Sequence, residues 1–158
     1  MGAQHFQSLC RDILEKQPGV TSASVYGHSG QWQGGIDVLA HLKDGGTCVA
    51  QCKCHRKFSA AAVRKASDEF LQHLTHWEER DVKRFILMVA CDMSSTQLQE
   101  RVVEEKRRFR EFGLEYEAWD VNRLANLLAQ HWTLAYRHLE EPWANKLCGG
   151  PPRQLPGS

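Results

Sequence analysis

The sequence is short of everything that marks a membrane, an export route or a nucleotide site. No apolar run approaches the roughly 20 residues that span a bilayer. The opening stretch, MGAQHFQSLCRDILEK, lacks the apolar centre of an export signal. It also departs from the myristoylation pattern, which asks for Ser or Thr where Phe6 stands. There is no GxxxxGK(S/T) loop and no GxGxxG, so no nucleotide cofactor is expected. Neither sign of charge prevails: 20 Lys and Arg stand against 19 Asp and Glu, a net of +1. Total charge therefore says nothing about partners, and only its distribution can.

What is present fits one globular domain. The 158 residues are 42% apolar and 25% charged, enough to bury a core. Six cysteines without an export signal point to reduced thiols and a cytoplasmic location. The ending CGGPPRQLPGS cannot build a regular element and reads as a linker or tail over 148–158. The expected division is a domain over 1–147 and that tail, with further domains expected beyond it.

Periodicity sets the element order. In HFQSLCRDILEK, Phe6, Leu9, Cys10, Ile13 and Leu14 share a helical stripe that QPG ends. VTSASVYG alternates as a strand, and GHSGQWQGG is a loop. IDVLAHL and TCVAQCKC form a hairpin around KDGG. Ser59 is a plausible N-cap for one long helix, AAAVRKASDEFLQHLTHWEE. RFILMVA reads as a fully buried strand. A serine-started helix ending at Gly113 follows, then LEYEAW as a strand, then a helix capped by Asp120; WTLAYRHLEEPW closes the domain. The order α-β-β-β-α-β-α-β-α implies a mixed α/β sheet with helices on both faces.

The hairpin holds the unusual residues: an acid (Asp37), an amide (Gln51) and a lysine (Lys53) where Val or Thr would be ordinary. Strand residues two apart share a face, so Gln51, Lys53 and His55 point one way and Cys48, Ala50, Cys52 and Cys54 the other. On the first strand, Asp37, Leu39 and His41 oppose Ile36, Val38, Ala40 and Leu42. A three-residue loop, Asp44-Gly45-Gly46, with Gly46 in the left-handed region, would pair Lys43 with Thr47, Leu39 with Gln51 and Asp37 with Lys53. The polar side chains then converge. Geometry alone also allows a simple cross-strand ion pair on a solvated face.

Zinc is not expected. Cys48 and Cys52 would lie roughly 13 Å apart along a strand, and His55 faces away from them. Zinc ligands sit about 2.0–2.3 Å from the metal, so buried apolar cysteines explain the pattern more simply. His73 and His76, one helical turn apart, lack the companion glutamate of an HExxH pair. Between Gly45 and Ser67 there is no acidic residue, while Lys53, Arg56, Lys57, Arg64 and Lys65 are all present with His55. Such a cluster suits a phosphate backbone, and the amino end of the helix near Ser59 suits phosphate oxygens. Arg64 and Lys65 would serve equally as a helix's solvated face.

GGIDVLA followed by VAQCK resembles the G-x-D…Q-x-K signature of the PD-(D/E)xK nuclease superfamily, in its Mrr-like restriction endonuclease branch. GHSGQWQGG is similar to that branch's lead-in, and α-β-β-β-α-β is the superfamily's core, here with a C-terminal αβα extension. RFILMVACDMSSTQLQERV and LEYEAWDVNRLANLL resemble nuclease modules joined to bacterial anti-phage NTPases. The resemblance implies a metal-dependent endonuclease acting on double-stranded DNA, working as a homo-oligomer, with Mg²⁺ as cofactor and Mn²⁺ as a substitute. It makes Asp37 and Gln51 the metal-binding residues and Lys53 the catalytic lysine. His28, Gln33, His55, Arg56, Lys57, Arg64 and Lys65 become the expected DNA contacts. One residue departs from the pattern: many relatives carry Glu after the first helix's aromatic residue, and here Gln7 follows Phe6. Asp12 and Glu15 do not fall on the matching position. The departure leaves an alternative, a degenerate nuclease fold that binds DNA or serves assembly.

Overall fold

The computed structural model describes residues 2–27, 34–131 and 133–134. His28, Gln33, most of the closing aromatic segment and the 148–158 tail lie outside the described residues. Among the described residues ten elements follow one another: α1 (Ala3–Glu15), β1 (Val20–Val25), β2 (Val38–Leu42), β3 (Thr47–Lys53), α2 (Ala60–Leu71), α3 (Leu74–Glu79), β4 (Val82–Val89), α4 (Thr96–Arg110), β5 (Glu115–Trp119) and α5 (Val121–Ala129). The strands form one sheet in chain order, with β1, β2 and β3 antiparallel and β3, β4 and β5 parallel. This is the mixed α/β sheet flanked by helices that the element order implies, and it is consistent with a restriction-endonuclease-like fold.

Both faces of the sheet are buried, which is why β4 reads as an unbroken apolar run. Ile86 and Met88 join Val38, Ala40, Cys48 and Ala50 under α1 and α5. Phe85, Leu87 and Val89 join Leu39 and Val49 under α2, α3 and α4. The second layer is aromatic: the Phe70 and Phe85 rings lie 4.8 Å apart, as do those of Phe109 and Tyr116. Each such buried side chain contributes roughly 1.5–3 kcal/mol. Side chains on α1 guard the exposed edge of β1, where Arg11 Nε donates to the Ala23 carbonyl at 3.0 Å and the Ala23 N–H donates to Glu15 at 3.3 Å. Asp12 and Glu15, the acids further along the first helix, are thus occupied by Arg11 at this edge.

The helix caps form where the sequence places them. Ser59 accepts from Ala62 N–H, Ser95 from Leu98 N–H, and Asp120 from the N–H groups of Asn122 and Arg123. Three expectations need correction. The single helix over 60–79 is two, α2 and α3, broken at Gln72 and His73. No Gly or Pro marks the break, and Val63, Phe70 and Trp77 keep a seven-residue spacing across it, so periodicity could not reveal it. The hairpin turns one residue earlier than expected. Leu42 N–H donates to Gly46, Gly45 N–H donates to Leu42, and it is Gly45, at φ +95°, that takes the left-handed conformation. Gly46 is instead held beside β4, where a Cβ would meet Lys83 Cγ at 2.9 Å. The register is therefore Val38 with Ala50 and Leu39 with Val49, not Leu39 with Gln51. Finally, Ile36 packs with Leu39 rather than with Val38 and Ala40. Asp37 N–H bonds the carbonyl of Ala50, the residue that Val38 already faces. The alternation slips by one there, and Ile36 is carried to the other side.

Candidate active site

The hairpin delivers its polar residues to one end of the sheet, where β2 begins and β3 finishes. Asp37 lies just before β2. Its backbone is held from both sides, the N–H by the Ala50 carbonyl at 2.9 Å and the carbonyl by the Tyr26 N–H at 2.8 Å. Its side chain is held as firmly: Oδ2 accepts from the Cys52 N–H at 2.8 Å and Oδ1 from Gln7 Nε2 at 3.1 Å. Gln7 comes from α1 and Cys52 from β3, so the carboxylate stands between a helix and the sheet. Burial raises the Asp37 pKa above its ordinary value. The Cys52 N–H and the charge of Lys53 oppose that rise, while Glu69 adds to it.

Gln51 is 2% exposed. Its Nε2 donates to Glu69 Oε2 at 2.7 Å, and its Oε1 is buried with no hydrogen-bond partner among the described residues. Lys53, the last residue of β3, places Nζ 3.6 Å from the same Glu69 oxygen. Gln51 and Lys53 thus meet on the α2 side of the sheet, while Asp37 sits at the sheet end between the layers. The three expected site residues come together, though through the shifted register and not through an Asp37–Lys53 pairing.

Glu69 is the residue that sequence reasoning missed. It reaches the site because α2 crosses the sheet with Val63, Ala66 and Phe70 buried beneath it, and position 69, one turn after Ala66, borders that stripe. The chain before β2 makes room for it. Gly35, at φ +76°, passes so close that a Cβ there would lie 3.3 Å from Glu69 Cβ. An acid bordering the buried stripe of a helix that follows Q-x-K was the available signal.

The expected DNA contacts divide. His55, Arg56 and Lys57 are exposed in the segment after β3, and Arg64 and Lys65 are exposed on α2. The four Arg and Lys residues make no ion pair among the described residues, and His55 lies edge-on to Phe58 at 5.6 Å. Of the hairpin cysteines, Cys48 belongs to the core and Cys52 and Cys54 pack against it. Cys48 is buried, and burial pushes its thiol up to about 12. A hydrogen bond with Cys10, and then burial, holds the Cys52 thiol well above its ordinary value. Burial of this kind favours the thiol over the thiolate. Among the described residues no three His, Cys, Asp or Glu side chains converge as a metal-binding group, and no helix is long and apolar enough to cross a membrane.

Among known families, the model described as a restriction endonuclease, of the Mrr catalytic type, matches residues 1–128. No curated protein and no solved structure matches the chain.

Proposed function

Since the chain belongs to the Mrr-type restriction endonuclease family, we propose that it is a metal-dependent endonuclease domain that hydrolyses double-stranded DNA at the Asp37, Gln51 and Lys53 end of its sheet. One observation carries the reading: a desolvated carboxylate, a buried amide and a lysine gathered where an ordinary hairpin would finish in apolar pairs. Buried charge without a structural task is costly, and it collects where chemistry needs it.

The residues fit a hard divalent cation, Mg²⁺ with Mn²⁺ as substitute. Such ions take oxygen ligands, and Gln51 Oε1 is a buried oxygen without a donor among the described residues. Asp37 and Gln51 would hold the ion, which would supply charge to the phosphate being cleaved. Lys53 would orient the attacking water or offset the charge gathering on phosphorus. Arg56, Lys57, Arg64 and Lys65, exposed and near the site in sequence, would bind backbone phosphates without reading bases. Cutting both strands calls for two sites, so the active form is proposed to be a homo-oligomer. An effector role beside an anti-phage NTPase belongs to the same proposal and rests on the resemblance of 84–102 and 114–128 to such modules.

The test is cleavage of supercoiled plasmid with Mg²⁺ or Mn²⁺ against EDTA, for this protein and for Lys53→Ala. Nicking that needs metal and vanishes in the variant is expected. Salt-sensitive DNA binding by both proteins, with no cleavage under either metal, would instead favour a degenerate DNA-binding module, the reading to which Gln7 lends support.

A further inference from the structure

We infer that Glu69 of α2 is the second carboxylate of the metal site, standing in for the acid that α1 lacks at Gln7. The inference rests on the nuclease reading above and names a residue that reading does not use. A divalent cation held by Asp37 alone would face a single negative charge, whereas two carboxylates match its charge and raise affinity. Glu69 is the acid in position to supply the second: its Oε2 lies 2.7 Å from Gln51 Nε2 and 3.6 Å from Lys53 Nζ.

The independent sign of a ligand is Gln51. The side chain is almost wholly buried, one end of its amide is spent on Glu69, and the other, Oε1, has no partner among the described residues. Buried acceptors without donors are rare, and each one in a folded protein calls for an explanation such as an ion. An ion taken by this oxygen would lie beside the carboxylate that the same amide already holds. Gly35 completes the arrangement by letting the chain before β2 pass against Glu69 at a distance a larger residue would crowd.

The plainer account makes Glu69 an ion-pair partner of Lys53. That pair is long and partly exposed, the kind that contributes little to stability, and it leaves Gln51 Oε1 unexplained. Mn²⁺ binding to the intact chain, followed without DNA by the loss of the free-ion electron paramagnetic resonance signal, separates the accounts. Thermal melting of each variant confirms that it is folded. Glu69→Gln keeps the shape of the side chain and should weaken Mn²⁺ binding at least ten-fold. Adding Gln7→Glu to it should recover binding, because a carboxylate then stands where Gln7 Nε2 now lies 3.1 Å from Asp37. Wild-type affinity in Glu69→Gln alongside loss in Asp37→Asn would overturn the role of Glu69 and leave the nuclease reading intact. A double variant as weak as Glu69→Gln would overturn the exchange between the two helices. Absence of Mn²⁺ binding by the wild type, or undiminished binding in Asp37→Asn, would overturn the metal site itself and this inference with it.

Discussion

Asp68 and Glu69 are neighbours on α2, yet they look into two different networks. Asp68 bonds Arg108 of α4, and Arg108 also donates to Glu105 at 3.1 Å. Glu105 is fully buried, and its other oxygen accepts from Arg101 at 3.3 Å. Both oxygens of that carboxylate are satisfied, and the group ties α2 to α4. On the other side, Glu69 meets Gln51 and Lys53, where an amide oxygen has no donor among the described residues and Asp37 carries a charge that burial penalises. The structural cluster meets its buried carboxylate with a cation on each oxygen, although Arg101 Nε beside it has no partner among the described residues. The cluster proposed for chemistry leaves its amide oxygen open, and stability lost there is recovered elsewhere in the fold.

The contrast can be broken from the closed side first. Glu105→Ala leaves two guanidinium groups without their buried partner and should cost about 3 kcal/mol in urea unfolding, while cleavage per folded molecule stays unchanged. A loss of activity without a loss of stability would mean that α4 serves the site directly. Next in size, Arg64→Ala with Lys65→Ala should reduce the salt slope of DNA binding by about 1.8, roughly 0.9 for each phosphate contact removed. An unchanged slope would return these residues to a merely solvated face.

Ser59→Ala removes the cap of the helix that the networks share and should cost about 1 kcal/mol. Because the whole helix loosens, both Asp68 and Glu69 should be disturbed, and Mn²⁺ affinity should fall with stability rather than independently of it. The smallest effect is a pH trend. The folded-state pKa of Asp37 lies above its ordinary 3.8, so the native state holds that proton the more tightly. The resulting stability is present below 3.8 and is lost as pH rises through the raised value. Melting curves of Asp37→Asn should therefore gain on the wild type as pH rises through that window, and parallel curves would contradict the cost assigned to burial.

Much of this is legible in the sequence. Alternation and β-branching mark the strands, Ser59 and Asp120 the caps, and the hairpin's polar residues read as converging. The register is not, because KDGG offers two adjacent glycines that suit a left-handed turn equally well. It is Gly45 that takes the left-handed conformation, and Gly46 lies where a Cβ would meet Lys83 Cγ, on a strand nearly forty residues away. Glu69 was hidden for the same kind of reason. Its role depends on how α2 is rotated over the sheet and how closely Gly35 approaches, and neither is a local property of the sequence. The slip at Asp37 likewise follows from a shared Ala50 carbonyl that no alternation pattern records.

The central claim is that the open network exists for chemistry, and Asp37→Asn tests it most directly when cleavage and melting are measured on the same preparation at pH 7. The account predicts plasmid cleavage lower by at least about 100-fold, the scale of losing one electrostatic contact to a transition state, with a melting temperature equal to or above that of the wild type. Cleavage within a few-fold of wild type, together with a melting temperature lowered as in Glu105→Ala, would show that Asp37 holds the fold together and that the active site lies elsewhere.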